Sequence, residues 1–353
     1  MALTTTTQLD GATSFVVNQT LLRNARFECP YFEGTMPGQI QKHGNSFAMK
    51  WRRIDNMTPT TTALSELSSY AFAAGRTPTT LGDSNPTATL LKYGDFVVLT
   101  EETIILNLAS TADKVAEVLG IQAGRSLNRL QRNIGEDNAT LVRPGGASTD
   151  GAVGSAITND LIASVVNTLE RNGAIRHRAE LLTGSGNYGS SPVQKSFLGI
   201  CHSDVQWDIR KLSTFIGAER YASTTQLFNG EFGAANGVRW ISTPEASQDG
   251  GGSDPGGNFR EDISPGTCDL YTCLVYGVDA IGSVSLDVNL IKSTYESGDS
   301  VPGIMLITKG FGTAGVSDPF DEYMSMAWKA WHTGAILNGD WARGLRVASA
   351  KLA

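Results

Sequence analysis

At 353 residues, with 41% hydrophobic and 18% charged content, the chain is long enough for two or three structural regions and too apolar to be disordered. Its formal net charge of −7 excludes a whole-molecule field that attracts nucleic acid, so any contact with DNA needs a local basic face. The 39 glycines, with many Thr and Ser, imply numerous turns and a good deal of β-structure.

MALTTTTQLD at the start lacks the basic and apolar regions of a secretory signal. No apolar run approaches the ~20 residues that span a bilayer, so no membrane partner is expected. Cys29, Cys201, Cys268 and Cys273 are few and scattered, which argues against a disulfide scaffold and for reduced thiols in a cytoplasm.

Residues 1–40 hold two apolar clusters, FVV and LLRNARF, and read as an extended arm. Phe47, Met49 and Trp51 then alternate with Ser46, Lys50 and Arg52, a period-two strand pattern. Residues 58–89 are rich in Thr, Ser, Pro and Gly and lack the apolar area to fold alone. A second strand-like run, YGDFVVLTEE, comes next, so residues 41–98 read as a long projecting hairpin.

Leu108, Ala112, Val115, Leu119, Ala123, Leu127, Leu130 and Ile134 recur at intervals of three and four, which predicts a helix over about 108–134. Such a helix is ~40 Å long. Its other side carries Arg125, Arg129 and Arg132, read as a solvated face, with a surface near packaged nucleic acid or against a neighbour's acids as the rival. Thr158 as N-cap, Ile162, Val165, Val166 and Leu169 on one face, and Gly173 at the stop predict a second helix. Further on, SFLGI and GVRWIST read as strands, SDVQWDIRKLSTFIG as a helix, DGGGSDPGGN as a mobile loop, and CDLYTCLVYG and SVSLDVNLI as strands. MSMAWKAWHTGAIL is ambiguous: length favours a helix, Trp and Met content a sheet.

Cys201, His202, Asp204 and Asp208 fall within eight positions and resemble an active site or a metal clamp. Adjacent strand residues point to opposite faces, so thiol and imidazole do not meet, and Ser203 with Gln206 fits a capping box opening a helix. The structural reading is the stronger. Cys268 and Cys273 lack a second pair at zinc spacing. GSGNYG matches a dinucleotide fingerprint by letter, but Pro192 interrupts the segment where a helix is needed, so it reads as a loop. No catalytic, cofactor-binding or metal residue is therefore expected. A glycine-rich calcium site centred on Asp249 and Asp254 is a weaker rival, because such repeats must stack to make sites.

The layout of arm, long hairpin, long helix and mixed α/β body resembles the major capsid protein of tailed bacteriophages, and within it the N-four-type phage family. Several stretches carry the likeness, in the family's order: YGDFVVLTEE, CHSDVQWDIR with Ser203 in place of a proline, NGEFGAANGVRWIST, LVYGVDAIGSVSL and the closing DPFDEYMSMAWKAWHTGAILNGDWARGLRVAS. Departures are Leu64-Ser65-Glu66-Leu67 where relatives carry Leu-x-Glu-Gly, and Phe320 in place of leucine.

The resemblance implies an α+β, HK-ninety-seven-like fold. Its parts would be an N-terminal arm (1–40), an extended loop (41–98), a peripheral domain with a spine helix (99–194), an axial domain with returning strands (195–314) and a C-terminal peripheral segment (315–353). It implies no enzyme and no cofactor, but hexamers and pentamers closing an icosahedral head around double-stranded DNA. Partners would be copies of itself, then scaffold, cement and portal proteins, with DNA on the inner face. The location would be the virion, after synthesis in the host bacterial cytoplasm. Trp and Arg anchor interfaces, so the candidate contacts between subunits are Trp51, Arg52, Arg53, Tyr93, Glu101 and Arg129.

Overall fold

The computed structural model describes residues 29–40, 47–54, 57–61, 80–106, 111–177, 195–220, 228, 230–254, 257–263, 267–286, 304–313 and 319–351. Two large sheets and two short two-stranded ones organise them. Along the chain come β1 (Met36–Ile40), β2 (Ala48–Lys50), β3 (Arg53–Ile54), β4 (Asp83–Ser84), β5 (Thr87–Thr89) and β6 (Leu91–Thr100), then helices α1 (Glu101–Leu106) and α2 (Thr111–Asn138). Next are β7 (Thr140–Val142), α3 (Asn159–Arg171), β8 (Phe197–His202), α4 (Ser203–Arg210) and β9 (Ile216–Gly217). The remaining strands are β10 (Glu231–Ala235), β11 (Val238–Thr243), β12 (Gln248–Gly252), β13 (Cys268–Tyr276), β14 (Ile281–Leu286), β15 (Ile304–Lys309), β16 (Tyr323–Ile336) and β17 (Ala342–Ala348).

The five-stranded sheet runs β1-β14-β16-β15, with β6 also on β16. Alternation along β16 buries Met326, Trp328, Ala330 and His332. The first three of these pack against Leu119, Ala123 and Leu127 of α2. That contact is why the periodicity of α2 is so regular: its apolar stripe seals one face of the sheet. The 28-residue helix is about 42 Å long. It begins three residues after and ends four residues beyond the predicted limits, passing through Gly135, where an added Cβ would sit 2.7 Å from Leu274.

The eight-stranded sheet runs β7-β17-β13-β8-β11-β10-β9, with β12 on β13. Helices α3 and α4 cover one face: Ile162, Val165, Leu169, Val205 and Ile209 pack onto Cys201, Trp240, Cys273 and Val347. The opposite face buries Leu198, Ile200, Leu274 and Tyr276 against Tyr31 and Ile281. With both faces covered, β13 is buried along its whole length. Strand pairing is mixed: β8–β11 and β7–β17 are parallel, while β13 is antiparallel to β8 and β17. The architecture is α+β.

Several local expectations agree with the structure. Thr158 Oγ1 accepts the amide of Leu161 at 3.3 Å, capping α3, and Gly173 takes φ 71 just past its end. Others need correction. The helix after β8 stops at Arg210, and Ile216–Gly217 is strand β9, drawn out by pairing with β10. Its cap is His202, whose Nδ1 accepts the amide of Asp204 at 3.2 Å, so the capping box on Ser203 does not form. The glycine-rich stretch is partly ordered as β12, because Gln248 and Asp249 pair in register with Tyr271 and Leu270. The ambiguous segment 323–336 is a strand, since β6, β14 and β15 satisfy its backbone. GSGNYG and the Leu64–Leu67 stretch lie outside the described residues.

Candidate assembly surfaces

The thiol–imidazole cluster is structural. Cys201 points into the core beneath α3 and α4, its Sγ 3.7 Å from the carbonyl of Ile241, and burial pushes its pKa far up, away from a nucleophilic thiolate. His202, next on the strand, is held by Asp204, 3.1 Å away. Desolvation lowers the His202 pKa, only partly countered by that carboxylate. Asp204 also pairs with Arg260 at 3.3 Å and accepts the Tyr271 hydroxyl at 3.0 Å. Asp208 accepts Ser349 Oγ at 3.1 Å and the amide of Ala350 at 3.0 Å, tying α4 to the end of the chain. Each polar group serves the fold. Asp249 is likewise taken by Arg346 at 2.7 Å, and Asp254 accepts the amides of Asn258 and Phe259. Among the described residues no group of three or more His, Cys, Asp or Glu is placed to hold a metal.

The arginines of α2 converge. Arg125 Nε donates to Glu245 Oε1 at 2.6 Å, Arg129 Nε donates to Oε2, and Arg132 donates to the Glu245 carbonyl at 2.6 Å. Glu245 lies just past β11, so the cluster clasps the long helix to the eight-stranded sheet. Burial opposes its charge, but the two guanidiniums prevail and hold its carboxyl below the usual range. Arg129, a sequence candidate for contact, is thus engaged within its own chain while remaining about half exposed.

The other candidates divide into two places. Trp51 is buried with Leu90, Val284 and Leu337 at the root of the hairpin, so its indole serves the core of its own chain. Arg52 is exposed and 3.4 Å from Asp83, and Arg53 donates to the carbonyl of Leu337 at 3.2 Å. With Lys50 they line a groove of about 820 Å³, whose lining also includes Ile175, Asp340 and Trp341. Tyr93, opposite Ala330 midway along β16, packs partly buried against the α2 core, and at the N-terminal end of β16 Glu101 opens α1 with its amide bonded to the carbonyl of Glu322 at 2.9 Å.

Sequence reasoning missed one surface. The face of the five-stranded sheet opposite α2 carries Phe96 (66% exposed) and Val98 (47%) on β6, in register with Ala327 and Ser325 of β16, and Ile307 of β15 lies opposite Ala327. Period two within YGDFVVLTEE, read together with FVV being apolar on both faces, was its only signal.

A family model described as phage capsid protein matches residues 84–347. No curated protein matches the chain. Among solved structures, the capsid of Ralstonia phage GP4 aligns with a TM-score of 0.61 at 9% identity, covering 92% of this chain and 93% of that one. The head structure of Helicobacter pylori bacteriophage KHP40 gives 0.56 at 11% identity, with 92% and 91% covered. The capsid of Cyanophage Pam1 gives 0.54 at 12% identity, with 94% of each chain covered. At such identities the likeness concerns the fold.

Proposed function

Because this chain belongs to the phage capsid protein family, we propose that it builds hexamers and pentamers of an icosahedral head that encloses double-stranded DNA. It is a structural protein of the virion capsid and assembles into a shell with copies of itself. In this reading residues 1–40 are an arm, 41–98 the extended loop, 99–194 and 315–353 the peripheral domain, and 195–314 the axial domain. The chain would perform no catalysis, would be made in the host cytoplasm, and would meet scaffold, cement and portal proteins and, on its inner face, DNA without sequence specificity.

The observation that carries the reading is the exposed β6 end of the five-stranded sheet's second face, beyond the part of that face where Trp331 and Val284 pack under Trp51. An apolar sheet face left in water is a liability in a lone subunit, but it is a docking platform in a lattice. Phe96, Val98 and Ile307 supply apolar area there, and Lys92 and Lys329 on the same face supply charge. The extended loop of an adjacent copy is the occupant that this reading assigns to it. Each such contact is modest, and repetition over the shell multiplies it.

Expressed alone, the chain is expected to give rings or closed shells by light scattering and negative-stain microscopy. Phe96→Asp is expected to abolish them while leaving circular dichroism and the melting temperature close to those of the parent, because the side chain is exposed. A parent chain that stays monomeric with crowding agents and a co-expressed scaffold refutes the reading.

A further inference from the structure

The two ends of β16 carry surfaces of complementary character. At its N-terminal end Phe320 is the most exposed of the large apolar side chains described, at 81%, in a turn where Asp321 takes φ 57. Tyr323, half exposed, lies beside it in register with Thr100, and the Glu322 carbonyl accepts the Glu101 amide. Glu101, Glu102, Asp321 and Glu322, all exposed, therefore lie at the same end of β16 as two exposed aromatic side chains. Lys309, whose backbone is in register with Ser325, is the cation on the neighbouring strand.

Beyond the C-terminal end of β16 lies the groove at the hairpin root. Its apolar lining includes Ile54, Ile175 and Trp341, and Lys50, Arg52 and Arg53 are the cations that line it. Asp279 and Asp340 line it too, the latter compensated by Arg343 at 3.7 Å. Arg52, between β2 and β3, pairs with the exposed Asp83 of β4 at 3.4 Å. An ion pair so exposed is weak and exchanges readily for another carboxylate.

We propose that the acidic, Phe320-bearing end of one copy docks in the Lys50–Arg52–Arg53 groove of the next. The inference rests on the chain assembling with itself. Over its 14 residues β16 spans roughly 45 Å, so the two surfaces of one copy cannot touch each other. Their complementarity is satisfied only between copies. Such a contact is heterologous: each subunit offers both halves, and a rotation that closes it makes a ring. Phe320 and Tyr323 would meet the apolar lining, Ile54, Ile175 and Trp341, while the carboxylates near them meet Lys50, Arg52 and Arg53. Three of the six sequence candidates, Arg52, Arg53 and Glu101, then fall on the two sides of a single contact, while Trp51 packs beneath it in the core of its own chain.

Charge reversal with rescue tests this. Lys50→Glu with Arg52→Glu, and separately Glu101→Lys with Glu322→Lys, are each expected to lower the yield of shells at least tenfold by light scattering. The fourfold variant, which restores opposite signs, is expected to recover assembly. In parallel, Ile54→Cys with Phe320→Cys, treated after assembly with a short bismaleimide, is expected to give a ladder of dimers, trimers and higher species on a denaturing gel. Neither single variant should give that ladder. Peptide mapping must join position 54 to position 320. Linkage of position 54 to another segment, such as the one carrying Cys29, overturns the inference, and so does undiminished assembly of both reversed variants. If the parent forms shells while the pairing fails, only this contact falls. If the parent forms none, the capsid reading falls with it.

Discussion

Replacing Glu245 by Gln should loosen the long helix from the eight-stranded sheet. The carboxylate side chain is 5% exposed, whereas Arg125 and Arg129 are 49% and 56% exposed. Hydrogen bonds to charged groups contribute about 1.5–3 kcal/mol each, and half-exposed cations sit at the low end. Losing the charge-assisted part of two such bonds should cost about 2 kcal/mol, since the Arg132 bond goes to the Glu245 backbone and survives. At roughly 2 °C per kcal/mol for a long chain, the melting temperature should fall by about 4 °C.

The reverse perturbation is more severe. Arg125→Gln with Arg129→Gln leaves a buried carboxylate without its two strongest partners, a loss of about 3–5 kcal/mol, while the freed arginines of Glu245→Gln simply regain water. The pH dependence has a fixed sign. The Glu245 carboxyl is held below its ordinary 4.5, so its contribution is complete above that value and disappears as pH falls through the lower folded-state value. Differential scanning fluorimetry of unassembled chain at neutral pH and near pH 3 measures both effects. Equal melting temperatures at neutral pH, or a deficit of Glu245→Gln that persists undiminished near pH 3, would refute the clasp.

Burial holds the pKa values of His177 and His332 down to about 4, below the ordinary 6.5, so their neutral forms stabilise the fold above that value. Stability should therefore drop as pH falls from about 6.5 toward 4, by up to about 3 kcal/mol per histidine, and His332→Phe should flatten the slope in pH-dependent melts. Cys201, Cys268 and Cys273 are buried with raised pKa values, so iodoacetamide on the native chain should modify Cys29 first, read by peptide mass spectrometry. Early modification of Cys201 would reopen the enzyme reading. Gly94→Ala places a Cβ about 2.5 Å from the Trp328 carbonyl of β16, and should cost about 1–3 kcal/mol by chemical denaturation although the site is exposed.

The residues at intervals of three and four in α2, the Thr158 cap with its Gly173 stop, and the short apolar runs of β8, β11 and β13 were legible because helix periodicity, capping and apolar runs are local. So was the structural role of Cys201 and His202, which needed only the two-residue repeat of a strand. Segment 323–336 was not legible, since its state depends on three partner strands, β6 lying more than 200 positions away. Nor was the clasp, where arginines meet an acid 113 to 120 positions distant, and helical spacing alone left them looking solvated. The assembly surfaces lie between these extremes. The sequence by itself determined which residues were apolar, charged and periodic, while the tertiary structure decided which apolar faces were sealed and which were left uncovered. The reason is physical: local geometry sets the direction of each side chain, but only the packing of distant elements determines whether that direction ends in a core, in water or against another copy.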